Sequence, residues 1–388
     1  MRLTPAEILP ADPDALLFGR IWSPEVEGPC VVRVDGDRLT DVSRSFPTAR
    51  DLCEAENPVG ALRSAKGEDA GALDDILANT PFDTRDRSRP WLLSPIDLQA
   101  VKAAGVTFAA SMLERVIEER ARGDLAAAAG IRAHIHDLVG EDLRRLKPGS
   151  PKAAALKRTL IRTGAWSQYL EVGIGPDAEI FTKGQPLSTV GTGADAGVHP
   201  DSCWNNPEPE VVLAISSQGR IVGATLGNDV NLRDVEGRSA LLLGKAKDNN
   251  AAAVVGPFVR LFDGGFDLAA VERLEISLKV AGQDGFILTG RSAMSEISRS
   301  PAALAAQAIN THHRYPDGLV LFLGTLFAPV EDRHEAGKGF THADGDVVRI
   351  ACEELGALVN RVRPTDQCEP WTFGAADLMR NLARRGLI

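Results

Sequence analysis

From Glu210 onward the chain reads as a run of short apolar strands, and that run limits the possible folds more than any other feature. "EVVLAI", "IVGATLGNDV", "RLEISLKVAG", "GLVLFLGT", "DVVRIACEEL" and "ALVNRVR" are rich in Val, Ile and Leu and are separated by Gly, Asp or Asn turns. Segments of this length and spacing build mainly antiparallel sheets. Upstream the pattern differs. Residues 109 to 138, rich in Ala, Leu, Glu and Arg, read as helix, with Gly123 and Gly130 dividing it. "PKAAALKRTLIRTG" adds a second helical stretch. Nearer the N-terminus, "ALLFGRIW" and "PCVVRVDGDRLTDVS" predict strands with Asp35-Gly36 as a hairpin turn, and "TARDLCEA" a helix capped by Thr48. Residues 56 to 90 show weak periodicity, which sets the expected boundary near Trp91. The expected fold class is α+β. A small N-terminal α+β domain would span residues 1–90, and a β-rich domain with a helical insertion residues 91–388.

Forty-three basic against fifty-three acidic side chains leave a formal charge of −10, which argues against nucleic acid or an anionic membrane as partner. No window reaches the roughly 18 apolar residues of a spanning helix. The N-terminal stretch, broken by Pro5, Pro10 and Pro13, lacks the apolar core of a signal peptide. Cys30, Cys53, Cys203, Cys352 and Cys368 are odd in number, scattered and without a C-x-x-C pair, as expected of reduced thiols in a cytoplasmic protein.

The strand run opens on "NNPEPEVVLAI", two acids one residue apart before an apolar segment. Pro209 favours an extended Glu208, and in extended chain residues i and i+2 share a face, so Glu208 and Glu210 project together. If their strand pairs with "GRIVGATLGNDV", Asp229 joins them at one rim of the sheet. Three carboxylates without His or Cys suit a hard divalent cation. The same pair could also be a solvated strand edge that deters aggregation.

These residues carry a wider likeness. "PEPEVVLAISSQGRIVGATLGNDVNLRDVEG", then "AKDNNAAAVVGPF", then "LFLGT" resemble the fumarylacetoacetate hydrolase superfamily: an E-x-E, a hairpin ending in N-D-x-x-x-R-D, a lysine nine residues before Gly-Pro, and a late Gly-Thr. The resemblance implies a mixed β-roll catalytic domain and a homodimer or homotetramer. It implies Glu208, Glu210 and Asp229 as ligands of Mg²⁺, with Mn²⁺ or Ca²⁺ as substitutes. Glu179, in "GPDAEIFTKG", stands where members place another carboxylate; it could equally be an exposed acid paired with Lys183 on the surface.

The departure from the family is also informative. Its hydrolases follow their first catalytic-domain strand with a His–Glu pair that activates water. The corresponding "AAGVTFAASMLERVIEERARG" keeps Gly105, Val106 and Phe108 but offers no His before His134. Water then has no general base of the usual kind, which argues against C–C bond hydrolysis. The "DSCWNNPEPE" approach, "GRSALLLGKAKDNNA" and the terminal "WTFGAADLMRNLARRGLI" resemble the superfamily's sugar-acid dehydratases instead. That implies conversion of a 2-keto-3-deoxy-pentonate, 2-keto-3-deoxy-D-xylonate first among them, to 2,5-dioxopentanoate in oxidative pentose degradation. The competing expectation is a hydrolase or decarboxylase of acylpyruvates or catechol-derived diketo acids. A non-enzymatic keto-acid sensor stands third.

In the dehydratase reading a 2-keto acid chelates the cation, and the polarised carbonyl makes C3 acidic. Lys247 is the candidate proton acceptor, which requires a lowered pKa; alternatively it stays charged and neutralises the acids, and Lys245, on the same face if extended, competes with it. Glu179 is the candidate acid for the departing C4 hydroxyl. Thr325, Arg233, Asp201, Ser202 and Asn228 complete the set as substrate-binding candidates. Arg233 could clamp a carboxylate or hold Asp234, and Thr325 could be an ordinary strand-end threonine. "GTGADAG" at 191 to 197 reads as a flexible loop over the substrate, "HIH" at 134 to 136 as poor joint ligands, and His312, His313 and His342 as surface residues.

Overall fold

Five successive apolar residues, Val211–Ile215, need cover on both faces, and the fold supplies it. The computed structural model describes residues 2–122, 124, 146–162, 164, 166–325, 327, 329, 331–333 and 339–388. Numbered along the chain, the strands are β1 (Leu17–Ser23), β2 (Gly28–Asp35), β3 (Arg38–Asp41), β4 (Glu68–Ala72), β5 (Trp91–Leu92), β6 (Ala100–Gly105), β7 (Glu179–Gly184), β8 (Asp195–Val198) and β9 (Asn205–Asn206). There follow β10 (Pro209–Ile215), β11 (Ile221–Asp229), β12 (Asn231–Leu232), β13 (Ala253–Leu261), β14 (Glu275–Ala281), β15 (Ile287–Ala293), β16 (Leu319–Phe322), β17 (Val347–Cys352) and β18 (Gly356–Pro364).

An 11-stranded sheet runs β4-β3-β2-β1-β13-β11-β10-β16-β6-β7, with β5 on β1, so it crosses residue 90 without a break. A second sheet, β15-β14-β17-β18-β8, packs against it. Val211, Leu213 and Ile215 face a core shared with Leu278, Ile350 and Leu358 of the second sheet. Val212 and Ala214 face the other way, into a core completed by Val31, Leu52 and Phe322. A strand buried on both faces reads as continuous apolar sequence, whereas β14 alternates, exposing Glu275, Ser277 and Lys279.

The expected α+β class and mainly antiparallel pairing are what the structure shows; β6–β16 and β8–β18 are the parallel pairs. The β2–β3 hairpin turns at Gly36-Asp37, one residue on from the expected Asp35-Gly36, since Asp35 still pairs with Arg38, and Thr48 caps the Ala49–Glu54 helix through Asp51. Of the long helical region, Ala109–Ala121 is helix; residues 125–145, with Gly130, His134 and His136, lie outside the described residues, as does Gly123. The second stretch forms the Pro151–Arg162 helix. Among the described residues no helix is long and apolar enough to cross a membrane.

Several strands escaped the sequence pattern, among them β4, β8, β13 and β15. β13 is interrupted by Gly256-Pro257, and a proline inside an apolar run ordinarily demotes it. β15 carries Thr, Gly, Arg and Ser on a half-exposed strand. The "GTGADAG" expectation is corrected: all of residues 191 to 196 but Ala194 are buried, β8 begins at Asp195 and pairs with β18, and the Gly193 amide donates to the Val359 carbonyl at 2.7 Å. His342 is corrected as well. Its imidazole is buried against Asp346, which Arg333 also grips.

Candidate active site

The β10–β11 hairpin brings the acids together. Pro209 opens β10 opposite Asn228, and the Asp229 amide donates to the Glu208 carbonyl at 3.0 Å. Glu208 and Glu210, one residue apart in extended chain, therefore point to the side where β11 ends in Asp229. One oxygen from each lies within 4.8 Å of the others. All three are buried, at 4%, 2% and 2% exposure, which removes the solvated-edge alternative.

Cationic side chains converge on the acids from three elements. Lys247 Nζ lies 2.6 Å from Glu208 Oε2 and 2.9 Å from Asp229 Oδ2. Lys183 Nζ, from β7, lies 2.8 Å from Asp229 Oδ1 and donates to the carbonyls of Val230 (2.9 Å) and Lys247 (2.6 Å). Arg115, on the Ala109–Ala121 helix, holds Glu208 Oε1 in a close ion pair and Glu236 Oε2 at 2.9 Å. Glu210 receives the Gly324 amide at 2.6 Å, where Gly324 takes φ +89°, a conformation glycine adopts without cost.

Glu179 enters from the start of β7, opposite Gly105 of β6. A Cβ at position 105 would sit 2.1 Å from Glu179 Oε2, so this glycine makes room for the carboxyl. These groups, with Phe181, Val106 and Thr325, line a cavity of about 20 Å³, space for about one water or bare ion.

The electrostatics follow from burial and crowding. Burial, then Asp229 and Glu208, push the Glu210 carboxyl well above its ordinary pKa. Burial, then Glu236, raise Glu179 to about 7, against the pull of Arg115 and Lys247. Asp229 is driven the other way: burial opposes its charge, but Lys183 and Lys247 outweigh it. Burial also opposes the Lys247 ammonium, yet Asp229 and Glu208 overcome it and hold the pKa above the ordinary lysine value. Among the described groups, five carboxyls (Glu179, Glu208, Glu210, Asp229, Glu236) meet three cations (Arg115, Lys183, Lys247). An all-oxygen donor set with this surplus of acid fits a hard divalent cation.

The structure places the other candidates unevenly. Thr325 is in the cavity wall, its hydroxyl accepting the Phe327 amide at 3.0 Å. Asn228 lies behind the wall and positions Glu208, whose amide donates to its Oδ1 at 3.0 Å. Arg233 stacks on Trp204, 4.6 Å from the ring centre, and donates to the Pro329 carbonyl and Glu114, so it braces the loop instead of facing the acids. Ser202 bonds Asp234 at 2.7 Å, while Asp201 is exposed. Lys245 and Lys247 share a short helix, Leu243–Lys247, not an extended strand. Lys245 therefore turns out toward Asp201, 3.8 Å away. Lys183 is buried on Asp229 and is not a surface partner of Glu179. Arg115 and Glu236 were not anticipated; "LRDVEG" and "SMLERV" gave no spacing signal, because each acts from a separate helix.

Comparison with known proteins finds one family and several relatives. Residues 176–363 match the fumarylacetoacetate (FAA) hydrolase C-terminal family. The "Probable 2-keto-3-deoxyxylonate dehydratase" of Haloferax volcanii is 32% identical over 194 residues, 50% of this chain and 63% of that protein. The 2-dehydro-3-deoxy-D-arabinonate dehydratase of Saccharolobus solfataricus is 31% identical over 185 residues, 48% of this chain and 58% of that protein. The chain thus spans about three fifths of these relatives' length. A solved 2-keto-3-deoxy-D-arabinonate dehydratase, complexed with magnesium and 2,5-dioxopentanoate, superposes with a TM-score of 0.59 at 19% identity, covering 90% of this chain and 99% of the other. At that identity the likeness shows the fold.

Proposed function

We propose, on the match of residues 176–363 to the fumarylacetoacetate (FAA) hydrolase C-terminal family, that the protein is a divalent-cation-dependent hydro-lyase converting a 2-keto-3-deoxy-pentonate to 2,5-dioxopentanoate. The observation that carries this reading is the buried triad Glu208, Glu210 and Asp229 facing Glu179 and Lys247 in one cavity. The relatives' names support the substrate class. Those names differ in parent sugar, yet a keto group at C2 and a methylene at C3 leave C4 as the sole stereocentre. D-Xylonate and D-arabinonate therefore lead to one and the same keto acid, and the choice the site must make is between C4 configurations.

Glu208, Glu210 and Asp229 would hold Mg²⁺, which polarises a 2-keto group and acidifies C3; Mn²⁺ and Ca²⁺ offer the same preference for oxygen. The chain's own groups then move protons. Glu179, half ionised near pH 7, is suited to take a proton from C3 and return it to the C4 hydroxyl as that group leaves as water. Two further proton shifts, one from C5 to C3 through the conjugated dienol and one from the C5 hydroxyl to C4, yield the C5 aldehyde. Lys247, kept charged by two carboxylates, fits the charge-partner role better than that of proton acceptor. It would balance the negative charge developing on the keto oxygen. Thr325 is placed to hydrogen-bond the substrate.

Incubation of EDTA-stripped and Mg²⁺-reloaded protein with D- and L-configured 2-keto-3-deoxy-pentonate, followed by assay of 2,5-dioxopentanoate, tests the proposal. Turnover only after reloading is expected. Equal turnover without metal would remove the cation, and turnover of acetylpyruvate in place of any keto-deoxy acid would install the hydrolase reading. The five free cysteines suit a reducing cytoplasm. A homodimer or homotetramer is proposed from the family likeness, and light scattering of the purified protein measures it.

A further inference from the structure

Two of the three acids have both oxygens already bonded to cations, Glu208 to Arg115 and Lys247 and Asp229 to Lys183 and Lys247, and of these cations Lys183 is fully buried and tied to the Val230 and Lys247 carbonyls. A divalent ion seated among the three acids must share Glu208 with Arg115 and Lys247 or displace one. Lys247 is poorly placed to leave. Its ammonium spans Glu208 and Asp229, is 2% exposed, and its own carbonyl is pinned by Lys183 at 2.6 Å. Arg115 has a second arm on Glu236, 2.9 Å away on the Arg233–Glu236 helix, which carries none of the three ligands, and its side chain is 12% exposed at the cavity wall. It can give up one carboxylate and keep another. The cavity of about 20 Å³ gives the incoming ion and the guanidinium no space to coexist at Glu208 without strong repulsion.

We infer that Arg115 is an exchangeable counter-cation: it neutralises Glu208 until a divalent ion takes that carboxylate, and it then holds to Glu236. This rests on reading the triad as a cation site. Arg115 is thereby a positioning residue, acting through Glu208 and not on substrate. The exchange thus breaks the tie between the Ala109–Ala121 helix and Glu208 and keeps the one to Glu236.

The test is a double-mutant cycle on Mn²⁺ affinity, measured by calorimetry on EDTA-treated full-length protein, so that no turnover is involved. Arg115→Met removes the competitor and is expected to bind Mn²⁺ about tenfold tighter than wild type. Glu236→Gln removes the refuge, leaves Arg115 more firmly on Glu208, and is expected to bind several-fold weaker. In the double variant the Glu236 effect should vanish, because no guanidinium remains to be relocated. Additive effects would show a simple through-space field and overturn the exchange, as would an Arg115→Met protein binding no tighter than wild type. Arg115→Lys, which keeps charge but loses the two-armed reach, guards against misfolding of the Met variant and should bind more weakly than wild type; equal or tighter binding would count against the inference. Wild-type protein that takes up no Mn²⁺ would sink the cation site itself, an outcome distinct from a wild type that binds while its variants fail to differ.

Discussion

Two buried charge clusters in this chain are built from the same chemistry and are left in opposite condition. Around Arg333 the buried charges match, one guanidinium to the one buried carboxylate of Asp346, with Asp284 out at the surface. Its guanidinium grips Asp346 with both arms, at 2.5 and 2.8 Å, reaches Asp284 at 3.2 Å, and His342 Nδ1 bonds Asp346 at 3.1 Å. Burial opposes the Asp346 charge, but His342 and Arg333 drive its pKa far below the ordinary value, and burial keeps His342 low. Around Glu208 and Glu210 the charges do not match: acids outnumber bases and Glu210 is pushed toward protonation. A balanced cluster stabilises the fold as it stands. An unbalanced one stores a demand for something from outside, and that demand marks a binding site.

Substitutions should separate the two. Glu208→Gln should abolish detectable Mn²⁺ binding and lower turnover about a thousandfold, because it removes a ligand of the cation; unchanged turnover would dissolve the contrast. Asp346→Asn should cost about 3 kcal/mol in urea unfolding by leaving Arg333 under-compensated. Turnover per folded molecule should stay near wild type. Lys247→Ala should keep cation binding while kcat falls about a hundredfold, the loss typical of one charged group in the site. Retention of near-normal kcat would take Lys247 out of the chemistry.

The pH dependence has a defined sign. The folded pKa of Glu179 is raised to about 7 from an ordinary 4.5, so the protonated form favours the fold. Its contribution is complete below pH 4.5 and is lost as pH rises through 7. Metal-free Glu179→Gln should therefore lose less stability than wild type between those limits, by on the order of 2 kcal/mol. The smallest effect expected is a rise of a few degrees in wild-type Tm on adding millimolar Mg²⁺, absent in Glu208→Gln.

The unmatched cluster was partly legible in the sequence because its acids follow local rules. Glu208 and Glu210 share a face by the two-residue period, and Asp229 closes a hairpin that the turn residues announce. Strand identity was legible for the same reason wherever a run was apolar or alternating, and failed at β13 and β15, where Pro257 and exposed polar residues mask it. Arg115, Glu236 and the true place of Lys183 were not legible. Each reaches the acids from a distant element, and no periodicity encodes which helix will face which hairpin. Lys247 was found by motif, but its setting on a helical turn, which turns Lys245 outward, needed coordinates. The matched cluster was missed altogether, since His342 and Asp346 look like an ordinary turn until Arg333 is placed beside them.

The larger sheet carries a practical consequence. β13 is bonded on one side to β11, beside the acids, and on the other to β1 from the chain's opening residues. A laboratory fragment beginning near Trp91 would strip that neighbour away and bare the Val259 and Arg260 stretch of β13 as a new sheet edge. Such a fragment should clump on expression, however intact its chemistry, so anyone trimming this protein for production does better to leave the front end attached.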